Sequence, residues 1–491
     1  MQGKHVFQSR TRTVIDLESF IPKDHFLRRV DHTLEMSFLR DATAVCYASG
    51  LGRPSIDPEV FFRMLLVAYL YGIKSDRRLC DEVRYNLAYR WFCRLSLEDD
   101  VPDHSSFSRI RDRYGEEIFE TVFRHIVELC KEKGLVAQEC RVMTDATLIA
   151  ADASLNSLIH NDPKEAEKEA ISQHRDRGLK DSSSARRVTN QTHTSHTDPD
   201  ATLAQKKGTP RQLKYKVHQS IDADSRVILD TEVTTGAKHD NQPYLEQLQR
   251  IRDWYKITIR EAIADRGYGS AAIIEALQKQ RTKTYIPLFH QSSGKNSGTA
   301  PGLVYERRKD RFRCPEGKYL YSSSALYENY KRYVSSSADC RRCPRASNCP
   351  AKTRKAAPLQ RFVLRSLDQD LFDQVQARMR DPGFGKRLSE RMWKSEGLFA
   401  EAKQNHGLSR ARYRGKSKVQ IQAYLSAMAQ NLKRLVFLFY LWLITRRLHP
   451  QTTSAQYRNM PFLRQDFFNR PDPFSECLDE HHPWQWRVSS V

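Results

Sequence analysis

The sequence lacks any uninterrupted apolar run of the ~18–20 residues that a membrane-spanning helix needs. Its longest such stretch, Leu435 to Ile444, falls well short and is flanked by Arg434 and Arg446, which predicts a buried helix. Residues 1–20 carry charges throughout and have no apolar core of the kind an export signal requires, so a soluble cytoplasmic protein is expected. Acidic residues are in deficit: 59 Asp and Glu stand against 81 Lys and Arg, leaving a formal charge of +22. Such an excess fits a small-molecule enzyme poorly and points to a polyanion, with DNA, RNA and an anionic membrane surface all open on charge alone. Ten cysteines with no export signal predict reduced thiols rather than disulfides. No internal repeat is present.

What the chain does have is length and hydrophobic content. Its 491 residues allow several domains, and 39% hydrophobic composition supports a packed core. The first 135 residues read as helical. Asp57 or Pro58 opens an almost wholly apolar segment, and another begins near Ser105 with Phe107, Ile110, Tyr114, Ile118, Val122 and Ile126 at spacings of three and four. Between them lie Arg77, Arg78, Arg84, Arg90 and Arg94, interleaved with Tyr85, Tyr89 and Trp91, a pattern suited to helices lying on a DNA backbone.

The periodicity then turns to strands: Glu139–Ile149, a pair between Lys214 and Thr235 about the turn Asp222-Ala223-Asp224-Ser225, TIREAIAD ending on Asp265, and KTYIPL after a helix over 270–280. Residues 172–212 and 291–302 read as loops, and His193, His196 and His218 as solvated. From Pro382 the chain is helical again, first around Glu396 and then along Ile421, Leu425, Met428, Leu432, Leu435 and Phe439, one apolar face. The last stretch, 447–491, reads as an irregular tail.

Carboxylates in or beside apolar strands need a partner, because an unpaired buried charge is expensive. Asp145 and Asp265 are so placed, and a divalent cation is one candidate partner. Glu396, on a helix face with Trp393, Phe399, Ala400 and Lys403, supplies a third oxygen donor for Mg²⁺ or Mn²⁺. Asp152, Asp222, Asp224 and Asp240 read as turn or capping residues. Residues 386–418 hold ten Lys or Arg against three Glu, a local excess of +7 that suits Lys403, Arg410, Arg412 and Arg414 to phosphates. Cys314, Cys340, Cys343 and Cys349 are spaced as a structural zinc set, with free thiols as the other possibility.

The blocks TDATLIAADAS, AIADRGYGS and WKSEGLFAEAKQNHGLSRARYRG resemble the three signatures of DDE transposases of bacterial insertion sequences. GRPSIDPEVFFRMLLVAYLYGIKSDRRLCDEV with PDHSSFSRIRDRYG is similar to the helical domain that precedes the catalytic domain in one group of them, and KYKVHQSIDADSRVILDTEVTTGAKHDNQ to its second and third strands. The resemblance maps the acidic triad onto Asp145, Asp265 and Glu396, the signature lysine onto Lys403 and an arginine onto Arg391. Leu388 stands where many relatives have tyrosine, and Arg391 lies five residues before Glu396 where four is commoner.

This resemblance implies an α/β fold: an RNase H-like catalytic domain in two parts (136–288 and 386–446), a cysteine-bearing β-rich insertion (289–385), and an all-helical DNA-binding region (1–135). It implies two metal ions, with water and then the freed 3′-hydroxyl as successive nucleophiles. The partners implied are double-stranded element ends and target DNA, with no membrane, in a dimer or larger assembly near the nucleoid. A same-fold nuclease without strand transfer, and an inactive transposase-derived DNA-binding protein, are the alternatives.

Overall fold

In the computed structural model, residues 14–48, 55–163, 188–206, 208–288, 302–327, 329–354 and 357–448 are described. They divide into two compact units, the first comprising Met1–Arg260 with Met392–Val491, the second Glu261–Arg391. The architecture is mixed α/β with a helical amino-terminal region.

The first unit opens with helices α1 (Leu17–Phe20), α2 (Phe26–Thr33), α3 (Leu39–Ala44), α4 (Pro58–Leu70), α5 (Asp76–Tyr85), α6 (Leu87–Phe92) and α7 (His104–Glu132). Asp57 caps α4 by accepting from the Glu59 amide at 2.7 Å, with Pro58 in the first helical position where its missing N–H costs nothing. The predicted stripe of α7 is buried throughout. Arg77, Arg78, Arg84 and Arg94 are exposed as expected, but Arg90 is not. Its guanidinium is buried and donates to the carbonyls of Ser96 (3.1 Å) and Asp99 (2.6 Å), closing the turn after α6.

Strand β1 (Glu139–Ala150) follows, then the short β2 (Leu158–His160), β3 (His193–Ser195) and β4 (Thr202–Ala204), and the long β5 (Gln212–Asp222) and β6 (Ile228–Thr235). β1, β4 and β6 all pair antiparallel with β5. Two expectations are corrected here. Of the expected loop over 172–212, residues 172–187 lie outside the described residues and 208–211 are loop, but 188–206 hold β3 and β4, with Ser195, Asp198 and Ala201 buried. His193 and His218 are buried rather than solvated: His193 lies in β3, and His218 in β5, which is covered on both faces. His218 Nε2 meets Thr234 Oγ1 at 2.9 Å, and burial pushes its pKa down to about 3. Helix α8 (Tyr244–Tyr255) covers β6, and β7 (Thr258–Ile263) carries the chain into the second unit.

The second unit holds α9 (Ala271–Lys279), and β8 (Lys283–Tyr285) pairs parallel with the end of β7. It also has an antiparallel sheet of β9 (Val304–Glu306), β10 (Arg311–Arg313), β11 (Tyr319–Tyr327), β12 (Tyr330–Ser335), β13 (Lys352–Arg354) and β14 (Ala357–Ser366), in the order β13-β14-β12-β11-β10-β9. β11 and β12 form the hairpin expected of YLYSSSALYENYKRYV. Short helices α10 (Ser337–Arg341) and α11 (Gln369–Met379) complete it before α12 (Pro382–Asn405), which returns the chain to the first unit at Met392.

Helix α13 (Lys416–Leu448) is the axis of the first unit. Ile421, Leu425, Met428, Leu432 and Leu435 are buried as predicted, whereas Phe439 lies outside the described side chains. The single apolar face is corrected: Gln420, Gln422, Ser426, Gln430 and Asn431 are buried as well. The amides are retained because β6 is a sheet edge with unpaired backbone groups. Asn431 accepts from the Ile228 amide (2.8 Å) and donates to its carbonyl (2.9 Å). Gln420 accepts from the Val233 amide (2.5 Å) and donates to the Thr231 carbonyl (2.8 Å). The eleven steps from Gln420 to Asn431 rise about 16–17 Å as helix, and the five steps from Ile228 to Val233 span about the same as strand, so two side chains take the place of a neighbouring strand.

α13 also packs on the amino-terminal helices. The Tyr424 ring lies tilted against Phe123 with centroids 5.3 Å apart, and Lys418 pairs with Asp112 at 2.7 Å. The expected boundary at residue 135 therefore separates helix from strand in sequence but not in packing. The helix reaches Leu448, two residues into the expected tail, and 449–491 lie outside the described residues, as do 289–301.

Candidate active site

Helix α12 is anchored to the sheet at two points in the first unit. Near its middle, Lys394 Nζ donates to the Ala223 carbonyl, and the Ala223 amide donates to Arg141 of β1 at 2.7 Å. Two to three turns on, Lys403 Nζ donates to Thr147 Oγ1 at 2.7 Å. The helix thus runs beside β1 and in the same direction. Glu396 and Lys403 are seven residues apart, about two turns with a drift of roughly 20°, so both project from the flank that meets β1. Thr147 and Asp145 share one strand face. Asp145 and Glu396 therefore border the same helix–strand seam.

The surroundings of Glu396 differ from expectation. Its neighbours are not a buried apolar face: Glu396 and Ala400 are exposed, Trp393 is 39% exposed, and only Phe399 is buried. The core side of α12 is made instead by Lys394, Ser395, Leu398 and Ala402. Among the described residues no hydrogen bond or ion pair engages Glu396. The next acid on this helix, Glu401, is its opposite. Lys433 (3.1 Å), Arg434 (3.1 Å) and His406 (3.2 Å) surround its carboxylate. Burial opposes its charge, but Arg434, the His406 hydrogen bond and Lys433 together hold the carboxyl well below the usual range. Glu401 fastens α12 to α13, and Glu396 is left as the carboxylate available to a ligand.

Asp145 is half-buried, with Oδ1 accepting from the Ala146 amide at 2.9 Å. In the second unit, Asp265 follows β7 and caps a short 3₁₀ turn, accepting from the Gly267 amide at 2.8 Å. The oxygen donors suit a hard divalent cation, yet among the described residues no three or more His, Cys, Asp or Glu are grouped to hold a metal ion. That statement includes Cys314, Cys340, Cys343 and Cys349, all free thiols of the second unit. Even so, ion pairs draw the Cys314 turn towards the segment with the other three: Glu316 to Arg345 at 2.7 Å and Lys318 to Asp339 at 3.8 Å.

The basic residues divide. Lys403 is half-buried, and burial together with Lys206 and Lys214 lowers its pKa. Arg410 and Arg414 are exposed beside the end of β1, where the Ala411 amide donates to Ala150 at 2.8 Å, and both pair with Asp152, at 3.0 and 3.3 Å. Asp152 is thus an ion-pair residue rather than a turn residue. Arg412 is corrected: its guanidinium turns inward, 4.5 Å over the Tyr69 ring, and donates to the Ile73 carbonyl at 3.3 Å. Gly407, at φ +70°, makes room, since a Cβ there would lie 2.0 Å from that guanidinium. Arg391, on the second-unit part of α12, is partly buried. Asp222 is a turn residue as expected, accepting from Ser225 N and Oγ at 2.7 Å each. Asp224 and Asp240 pair with Arg141 and Lys216.

Sequence reasoning missed Thr147 and the Glu401 cluster. The first had a signal in its two-residue spacing from Asp145, and the second had none, since its cations come from α13.

Residues 15–113 match the family described as "Transposase domain (DUF772)" and residues 313–436 the family described as "Transposase DDE domain". Two separate segments of the chain are thus similar to transposase domains. The second match contains Glu396, Lys403 and the four cysteines but begins after Asp145 and Asp265. No curated protein matches the sequence. Among solved structures, a piggyBac transposase synaptic complex with hairpin DNA is 10% identical, over 88% of this chain and 83% of that one, with TM-score 0.31. A Mos1 transposase paired-end complex with the left transposon end is 9% identical over 50% and 62%, with TM-score 0.15. Likeness at these scores carries no argument about this chain. No helix among the described residues is long and apolar enough to cross a membrane.

Proposed function

We propose that this transposase cuts DNA at the ends of its element and joins the freed 3′ ends to target DNA, using Asp145, Asp265 and Glu396 of an RNase H-like domain. The observation that carries the reading is the Lys403–Thr147 hydrogen bond, which sets the glutamate helix along the strand bearing Asp145. The three carboxylates would hold two Mg²⁺ or Mn²⁺ ions, supplying Lewis-acid stabilisation at phosphorus. The chain's own groups do the rest. Glu396 is uncommitted because Glu401 takes the cations of α13. Lys403 brings a positive charge to the same seam, where the DNA strand's phosphate lies. Arg410 and Arg414 exchange Asp152 for phosphate at little cost, since exposed ion pairs are weak. Arg391 belongs to the same helix, and the exposed arginines of α5 and Arg94 add a second track on duplex DNA. Bringing two element ends together requires at least two copies of the chain, acting at the nucleoid.

The cysteines serve stability: Cys314, Cys340, Cys343 and Cys349 close on a structural Zn²⁺, supported by the two ion pairs that draw their segments together. Metal analysis of the purified chain should give one zinc per chain, with a lowered melting temperature after chelation.

The deciding assay uses DNA carrying the inverted repeats that flank the coding region, with Mg²⁺. Asp265→Asn should abolish cleavage while binding persists; unimpaired cleavage sinks the mechanism. Cleavage without joining would make the protein a nuclease, and binding without cleavage an inactive descendant.

A further inference from the structure

The antiparallel sheet of the second unit has two unlike faces. Opposed residues of antiparallel strands project on the same side, so the register sorts the side chains. Phe312, Leu320, Tyr333 and Val363 form a core on one face, with Cys314 and Cys349 packed against it. The other face carries the row Arg311, Tyr321, Val334, Phe362 and Lys352, one residue each from β10, β11, β12, β14 and β13. Beside this row stand Arg313 and Tyr319, opposed on β10 and β11.

This second face presents rings and cations to solvent. Tyr321 is 57% exposed, and Arg313 and Lys352 are exposed as well. The rings of Tyr319 and Tyr321 lie 6.4 Å apart, and the Arg311 guanidinium, paired with Glu306 at 2.8 Å, sits 3.6 Å over Tyr319. Tyr321 is thus braced from one side and open on the other. Charge selects the occupant. Residues 302–366 hold sixteen Lys or Arg against five Asp or Glu, an excess of +11 and half of the chain's +22, which favours a polyanion. An exposed ring adds something that duplex DNA, with its bases stacked on one another, does not use. A single strand offers both phosphates to the cations and open base faces to the ring.

We propose that this face binds single-stranded DNA, with a base stacked on Tyr321 and the phosphates on either side met by Arg313 and Lys352. The bound strand crosses the sheet along the row. From Tyr321 to Lys352 that is three strand spacings, about 14 Å. The choice of DNA over RNA rests on the reading of the chain as a transposase given above, since cleavage at an element end frees a strand. The surface itself uses none of the three acids.

The test follows the fluorescence anisotropy of labelled DNA with the full-length protein, comparing an oligothymidine of about 16 nucleotides with a blunt duplex of equal length. Tyr321→Ala should weaken oligothymidine binding about 5- to 100-fold, the cost of one lost stack, and leave duplex binding unchanged. Tyr321→Phe keeps the ring and should bind as wild type. Arg313→Ala should lower the slope of log K against log salt on the oligothymidine by about 0.7. A Tyr321 that only packs against its neighbours would lower the melting temperature when removed and leave oligothymidine binding intact, which overturns the proposal. A lowered salt slope without any effect of Tyr321 marks a face suited to acidic protein and also overturns it, as does tighter binding of oligouridine than of oligothymidine. If wild type binds and cleaves element-end duplex while Tyr321→Ala holds oligothymidine as wild type does, only this inference falls. If wild type binds neither DNA, it falls together with the transposase reading.

Discussion

Lys403 Nζ donates to Thr147 Oγ1 at 2.7 Å, joining a helix to a strand 256 positions earlier in the chain. The contact fixes where Lys403 can act. Held two residues from Asp145, its ammonium lies beside β1. Lys403→Met should therefore weaken DNA binding and reduce the slope of log K against log salt by about 1. Thr147→Val should leave that slope unchanged and slow cleavage, because the charge remains but loses its anchor. Salt titrations of binding, beside cleavage rates, separate the two.

The two acids of α12 should behave oppositely. Glu396→Gln removes an exposed, unpaired carboxylate, so urea unfolding should change by less than about 0.5 kcal/mol while cleavage is lost. Glu401→Gln leaves Lys433 and Arg434 buried without their counter-charge and should destabilise the fold by about 3–5 kcal/mol. Equal losses of stability would refute the division of roles.

Asn431→Leu keeps the volume of the side chain but leaves the Ile228 N–H and C=O without partners at the edge of β6. The expected cost is about 1–3 kcal/mol for each buried group left unpaired. Hydrogen exchange should show the amide of Ile228 losing protection first, since it donates to Asn431 Oδ1.

His218 makes stability depend on pH. Its folded pKa is depressed to about 3 by burial, while the unfolded value is about 6.5. Between these values the unfolded chain binds the extra proton, so the contribution is lost as pH falls below about 6.5. His218→Gln keeps a partner for Thr234 and removes the titration. The difference in unfolding free energy between wild type and variant should shift against the wild type by about 1.2 kcal/mol from pH 6 to pH 5. Asp222 and Asp230, both raised to about 6 by burial, titrate in both proteins and cancel in that difference.

Much of the secondary structure was legible from periodicity and capping. The cap at Asp57, the stripe of α7, the turn at Asp222 and the hairpin of β11 and β12 all depend on residues within a few positions of one another. The errors share one cause. Arg90, Arg412 and His218 are polar residues turned inward by partners that side-chain spacing does not reveal: backbone carbonyls of the following turn for Arg90, and groups remote in sequence for Arg412 and His218. Residues 188–206 read as loop because their strands are only three residues long and are held by β2 and β5, distant in sequence or beyond a turn.

By itself the sequence determined the order of helices and strands, the basic charge, and the three acids as candidates, because these follow from composition and short-range spacing. Only the tertiary structure decided which charges are available. Glu401 and Arg412 lie in the same basic segment as Glu396 and Arg410, and nothing in spacing tells them apart. Burial does: α13 supplies Lys433 and Arg434 to one acid, and α4 supplies the Tyr69 ring to one arginine. Their neighbours are left to face the seam and the solvent.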